Sequence, residues 1–224
     1  MNEAAQTLGE RLGYFFVDPA LIAIALTHRS AAGASNERLE FLGDAVINLA
    51  VAEALYERRP ELSEGDLTRM RSSLVNRDTL AALARELDLG ALLTLGTEEQ
   101  RTGISGRRSI LEDALEAVLG AVFLDGGFGA ARAVVRRLFA ECLQALPDSE
   151  ALKDPKTLLQ ERLQARGLAL PAYALTAAKG PEHARRFSAE CRVAELDLVA
   201  TGSGSSRREA EQAAADALLG QLQA

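Results

Sequence analysis

The spacing of hydrophobic residues changes once along this chain, and that change limits the possible folds more than any other feature. From Leu8 to about Leu146 apolar residues recur at helical spacing, and no alternating run is long enough for a strand. Further on, Phe187, Ala189, Cys191 and Val193 alternate with Ser188, Glu190 and Arg192, the period of a half-buried strand. Between the two patterns lies Leu146-Pro-Asp-Ser-Glu-Ala-Leu-Lys-Asp-Pro155, polar and bracketed by prolines, which suits a linker. The pattern predicts an α+β chain in two domains. An all-helical unit covers 1–146, a linker 147–154, and a small unit 155–224 runs helix, three strands, helix.

Local signals place the elements. Asp18-Pro19 and Ser63-Glu64 open helices in the first unit, with Asp or Ser as cap and proline tolerated in the first turn. A long helix is expected from about Asn36 to Arg58, ended by Pro60. Another follows the Gly103–Ser109 segment and ends near Gly126-Gly127, where a last one begins. In the second unit a helix opens at Asp154-Pro155 and stops at Gly167, with shorter strands at Tyr173–Ala178 and Leu198–Thr201. Ala210, Ala213, Ala214, Ala217 and Leu218 form the apolar stripe of a closing helix.

Charge divides along the same line. The net charge of the 224 residues is -7, which argues at first against a polyanionic partner. Residues 1–150 hold 15 Arg, no Lys and 23 acidic residues, net -8, whereas 151–224 hold 10 basic and 9 acidic residues, net +1. Lys153, Lys156 and Lys179 all lie in the second part. The two parts therefore have different work. No apolar run suits a membrane span and the N-terminus lacks signal-peptide character, so no membrane association and a cytoplasmic location are expected. Cys142 and Cys191 have neither disulfide nor zinc spacing and are expected to be small buried residues.

The strongest chemical signal is acidic. Glu37, Glu40 and Asp44 fall three and four residues apart, within roughly 60° on one helix face. Their neighbours Leu39, Phe41, Leu42, Val46 and Ile47 are apolar, so the repulsion is not fully screened. Asp113 and Glu116 repeat this arrangement inside the apolar stretch from Ile110 to Phe123. Five carboxylates on two apolar helices suit a hard cation such as Mg²⁺, which can activate water at a phosphodiester. A di-metal bundle would look similar, although its Glu-x-x-His motif is missing. Solvated helix faces remain the alternative for any single carboxylate. His28, beside Arg29, is assigned a structural role, and Phe41 is left open between core packing and a subunit contact.

Asn36-Glu-Arg-Leu-Glu-Phe-Leu-Gly-Asp44 resembles the signature of the bacterial ribonuclease III family, without a break over nine residues. The resemblance extends to Thr27-His-Arg-Ser30, to Glu64-Gly-Asp-Leu67 with Arg69 and Leu74-Val75, to the Asp113/Glu116 helix, and on to the C-terminus. It implies a helical endonuclease domain in which Glu40, Asp44, Asp113 and Glu116 hold Mg²⁺, with Mn²⁺ able to substitute, and Glu37 and Glu64 support them. It further implies a homodimer that cuts both strands of double-stranded RNA with a stagger, leaving 5′-phosphate and 3′-hydroxyl ends. Processing of ribosomal RNA precursors and other transcripts is the expected setting.

The second unit resembles a double-stranded RNA-binding domain, most specifically at Thr201–Ala215. Arg207 and Arg208 open the closing helix, where free N–H groups favour phosphate and nearby glycines permit close approach. Gln160 and Gln164, at i and i+4, suit ribose hydroxyls, and Glu182 and His183 follow in a Gly-Pro loop. Arg107 and Arg108, one turn before Asp113, are expected to hold a phosphate near the metal or else to be solvated. A catalytically silent RNA-binding protein of the same fold is the principal alternative, but it would be expected to have lost carboxylates. A helical pyrophosphatase would leave 155–224 without a purpose.

Overall fold

A computed structural model describes residues 3–103, 107–146, 153–179 and 185–223. The chain divides into two compact units, 1–149 and 150–224.

The first unit is helical: α1 (Glu3–Leu12), α2 (Pro19–Ala25), α3 (Glu37–Arg58), α4 (Glu64–Leu74), α5 (Arg77–Glu86), α6 (Leu89–Leu92), α7 (Thr97–Thr102), α8 (Arg108–Leu138) and α9 (Ala140–Gln144). Its caps follow the sequence. Asp18 Oδ1 accepts the Ala20 N–H at 2.9 Å, Ser63 Oγ that of Asp66 at 3.2 Å, and Asn76 Oδ1 that of Thr79 at 3.0 Å. The expected boundary at Gly126-Gly127 is a kink within α8, where Gly127 has φ 75° and ψ 179°, a backbone state open to glycine.

The core lies between α3 and α8. Val46, Ile47, Ala50, Val51, Ala54 and Leu55 of α3 are buried, as are Leu111, Ala114, Leu115, Ala117, Val118, Leu119, Ala121 and Val122 of α8. By length and hydropathy α8 meets the requirement for a membrane span, against the sequence expectation that no run does. Its burial against α3 is what the central helix of a packed domain shows as well.

The second unit consists of α10 (Pro155–Ala165), β1 (Ala172–Lys179), β2 (Arg186–Val193), β3 (Leu198–Gly204) and α11 (Arg207–Gln223). The three strands form one antiparallel sheet in the order β1-β2-β3, with a register shift between Leu175 and Ala177. Leu159 and Leu163 of α10 meet Cys191, Val193 and Ala200 of the sheet and Ala214, Ala215, Leu218 and Leu219 of α11 in one cluster. The α11 stripe is thus shifted from the expected one: Ala210, Ala214, Ala215, Leu218 and Leu219 are buried, Ala213 is half-buried and Ala217 is exposed. Cys191 is buried as expected, but Cys142, near the end of the first unit, is only half-buried.

Candidate active site

Two glycines set the site. A β-carbon on Gly43 of α3 would lie 1.7 Å from the Glu116 carbonyl oxygen, and one on Gly120 of α8 would lie 2.3 Å from that of Leu39. The helices therefore touch backbone to backbone where they cross, which only residues without a side chain permit. Glu40 and Asp44 lie within one turn of Gly43, and Asp113 and Glu116 within two turns of Gly120. The crossing brings together carboxylates that are some seventy residues apart in sequence.

Oxygens of Glu40, Asp113 and Glu116 all lie within 4.8 Å of one another. None of the three is ion-paired among the described residues. Burial pushes the Glu116 carboxyl up to about 8, and repulsion from Asp44, Glu112, Glu40 and Asp113 adds to the rise. Glu40 is raised by burial, then by Asp113 and Glu37, with Arg29 opposing. Asp113 is raised by burial and Glu112, while Arg29, His28 and Arg77 oppose. The Glu112 charge is partly offset by Arg77 at 2.7 Å. Such a cluster retains protons that isolated carboxylates would have lost, and a hard cation would relieve the same repulsion.

The other predicted acidic residues stand outside this trio. Asp44 is close enough to Glu116 to raise its pKa, but its Oδ1 accepts the Asn48 side-chain N–H at 2.8 Å. Glu37 is exposed, accepts the Ser35 hydroxyl at 2.9 Å and lies 4.0 Å from Arg29. Glu64 accepts the Thr68 hydroxyl at 2.9 Å and borders a separate apolar groove with Leu49, Tyr56, Leu62 and Leu67. Within one chain, α4 carries Glu64 to the other end of α3, away from the Glu40, Asp113 and Glu116 oxygens. Phe41 is 82% exposed, which removes the core-packing alternative.

A polar cleft opens beside the carboxylates, lined by His28, Arg29, Ser30, Arg107, Ser109 and Asp113 among others. The His28–Ser30 loop is pinned there by backbone bonds from the His28 N–H to the Thr94 carbonyl (3.0 Å) and from the Thr94 N–H to that of Leu26 (2.8 Å). Ser30 Oγ accepts the Gly96 N–H at 2.9 Å and lies 2.8 Å from His28 Nδ1, which fits the structural role expected of His28. Arg107 faces the cleft, whereas Arg108 pairs with Asp78 at 2.6 Å. Of the two expected phosphate contacts, Arg107 therefore lies beside Asp113 and Arg108 is drawn towards α5.

In the second unit Arg207 and Arg208 open α11 and stay exposed, tethered to Glu211 at 2.8 Å and Asp154 at 3.5 Å. The first-turn N–H groups are less free than the sequence suggested. Ser206 Oγ accepts the Glu209 N–H at 3.2 Å, and the Glu209 carboxylate accepts the Ser205 N–H and hydroxyl at 2.8 and 2.7 Å. The glycines there also have a different use. A β-carbon on Gly202 would lie 2.2 Å from the Ala214 nitrogen, so they also seat β3 against α11. Gln160 and Gln164 share α10, half-buried and exposed respectively. Glu182 and His183 lie outside the described residues.

Two family models match the chain: Ribonuclease-III-like over residues 18–143, and the double-stranded RNA binding motif over 155–222. Ribonuclease 3 of Variovorax paradoxus is 52% identical over 225 residues, spanning 100% of this chain and 98% of its own. Ribonuclease 3 of Aliivibrio fischeri is 48% identical over 222 residues, 99% of this chain and 100% of its own. Among solved structures, the nuclease domain of ribonuclease III from Campylobacter jejuni matches with TM-score 0.61 and 39% identity, covering 65% of this chain and 100% of that one. A further structure of that domain, concerned with flexibility in a region involved in its dimer formation, matches with TM-score 0.59 and 42% identity, covering 61% and 96%. With both units matched and relatives aligned from end to end, the chain belongs to the ribonuclease III family and is a phosphodiester endonuclease.

Proposed function

We propose that this chain is a Mg²⁺-dependent endoribonuclease that cuts both strands of double-stranded RNA, leaving 5′-phosphate and 3′-hydroxyl ends, in the cytoplasmic maturation of ribosomal RNA precursors and other transcripts. The observation that carries the reading is the Gly43/Gly120 crossing, which gathers Glu40, Asp113 and Glu116 within 4.8 Å in a chain that also bears a double-stranded RNA binding motif. All-oxygen donors and uncompensated like charge fit Mg²⁺, with Mn²⁺ as substitute. Glu40, Asp113 and Glu116 would hold it, with Asp44 alongside Glu116. When bound, the ion supplies an activated water and charge stabilisation at the leaving 3′-oxygen. The chain's own groups do the rest. Arg29 balances the exposed Glu37 at the rim, while Arg207, Arg208, Gln160 and Gln164 grip the duplex in the second unit, with Glu182 and His183 expected from the sequence as further contacts.

The test is incubation of the full chain with long double-stranded RNA and Mg²⁺. The expected result is discrete duplex fragments with 5′-phosphates, abolished by chelation and restored by Mg²⁺ or Mn²⁺. RNA that is bound but stays intact would leave only the silent RNA-binding alternative.

A homodimer belongs to this proposal because one active centre cuts one strand. Phe41, Leu49 and Tyr56 of α3 are 82%, 56% and 73% exposed, and they fall within about 80° on one face, beside the apolar groove that Glu64 borders. An apolar stripe of this size marks an interface. The expected solution mass is twice that of the chain, and Phe41→Glu shifts it to the monomer at micromolar concentration. A monomeric parent protein at that concentration would remove the dimer.

A further inference from the structure

The cleft beside the carboxylates holds basic and hydroxyl groups that the acidic centre itself does not use. It has a volume of about 560 Å³, and Asp113 forms part of its wall, so it is continuous with the proposed metal site. Arg29 stands 72% exposed at its rim, its one ion pair among the described residues being the loose 4.0 Å approach to Glu37. Arg107 is exposed and has no ion pair among the described residues. Neither arginine hangs on a free loop end. Arg29 follows His28, whose backbone is bonded to Thr94, and Arg107 is the N-cap of the 31-residue α8. That cap makes no side-chain hydrogen bond among the described residues, and the positive end of the helix dipole faces the same region. Ser30 and Ser109 add hydroxyls. Glu99 and Asp113 line the same cleft, so within a unit of net charge -8 over residues 1–150 the two arginines bring its lining to formal neutrality directly against the acidic trio.

We propose that this cleft is a phosphate-positioning subsite, in which Arg29 and Arg107 bind a backbone phosphate of the strand being cut, next to the phosphodiester that reaches Glu40, Asp113 and Glu116. The inference rests on the endoribonuclease reading above. Both arginines are positioning residues. They register the strand against the carboxylates and counter the repulsion that an acidic centre exerts on a polyanion.

The test is steady-state cleavage of a defined RNA duplex by the full-length protein with Mg²⁺, across a range of salt concentrations. Arg29→Gln and Arg107→Gln are each expected to raise KM about tenfold with little change in kcat. Each should also flatten the log–log salt dependence of kcat/KM by about one, and the double variant by about two. Arg29→Lys keeps the charge and should recover most of the salt slope, though less of the KM, because the fork geometry is lost. Melting temperatures close to that of the parent protein are expected throughout. An active parent protein whose glutamine variants keep its KM and salt slope overturns the subsite alone. So does an equal loss in Arg29→Lys and Arg29→Gln accompanied by lowered melting temperature, since that pattern marks a structural role. An inactive parent protein overturns the endoribonuclease reading and the subsite with it.

Discussion

Glu116→Gln is expected to lower cleavage of double-stranded RNA by at least about 1,000-fold while leaving RNA binding intact, since an ion held at a reacting phosphodiester contributes several kcal/mol. The same substitution should make the metal-free protein more stable. The Glu116 carboxyl is raised to about 8 in the folded chain, chiefly by burial and then by its acidic neighbours. The folded state therefore keeps a proton that the unfolded state loses near its ordinary value of 4.5. Stability falls as pH rises through that window, and the deficit is complete above the folded value. With solvent screening allowed for, the deficit is on the order of 1–2 kcal/mol, or a few degrees in melting temperature. Thermal unfolding with chelator should give matching values for the parent protein and Glu116→Gln near pH 5, and a higher value for the variant near pH 8. Mg²⁺ should then raise the parent more than the variant. Equal melting temperatures at both pH values, or RNA binding lost together with cleavage, would show that Glu116 is not the repelled member of a metal-binding cluster.

Gly43→Ala should be the most damaging small substitution in the helical unit. Its β-carbon would meet the Glu116 carbonyl oxygen at 1.7 Å, the carbonyl carbon at 2.5 Å and the Gly120 nitrogen at 3.0 Å. All three are backbone atoms, so no side chain can swing aside and the helices must part. A cost of about 3 kcal/mol or more is expected, at the upper end for overpacking. Parting the helices also separates Glu40 from Asp113 and Glu116, so molecules that still fold should cleave about 100-fold more slowly. Gly65→Ala on α4 is the control. Its β-carbon would meet nothing nearer than the Arg69 side chain at 3.4 Å, and alanine favours helix, so a gain of about 0.5–1 kcal/mol is expected. Chemical denaturation of the three proteins measures this directly. If Gly43→Ala proves as stable as Gly65→Ala, the close helix crossing does not exist.

How much of this was legible beforehand depended on the range of the interaction. The long signature helix, the Asp18, Ser63 and Asp154 caps, and the alternation of β2 come from contacts between near neighbours, and the sequence displays them directly. The six-residue α7, with no buried side chain, is too short to display a period, whereas α5 carries an Asn76 cap and an apolar face of Leu80, Ala81, Leu83 and Ala84 that the sequence does display. The α11 stripe was misplaced by one position because alanine suits either face of a helix, and only the sheet decides which alanines it covers.

The sequence by itself determined which residues could carry the chemistry: Glu40 and Asp44 on one helix face, Asp113 and Glu116 on another, and a second unit of different period and charge. A carboxylate's identity and its place on a helix are local properties, fixed by residue type and a 100° step. Only the tertiary structure decided which of them meet. It placed Glu40, Asp113 and Glu116 within 4.8 Å, turned Asp44 towards Asn48, sent Glu64 to another groove and drew Arg108 to Asp78. The reason is that Gly43 and Gly120 specify their helix crossing only as a pair. Each is an ordinary helix glycine in its own segment, and the close approach they permit arises when the two backbones come together.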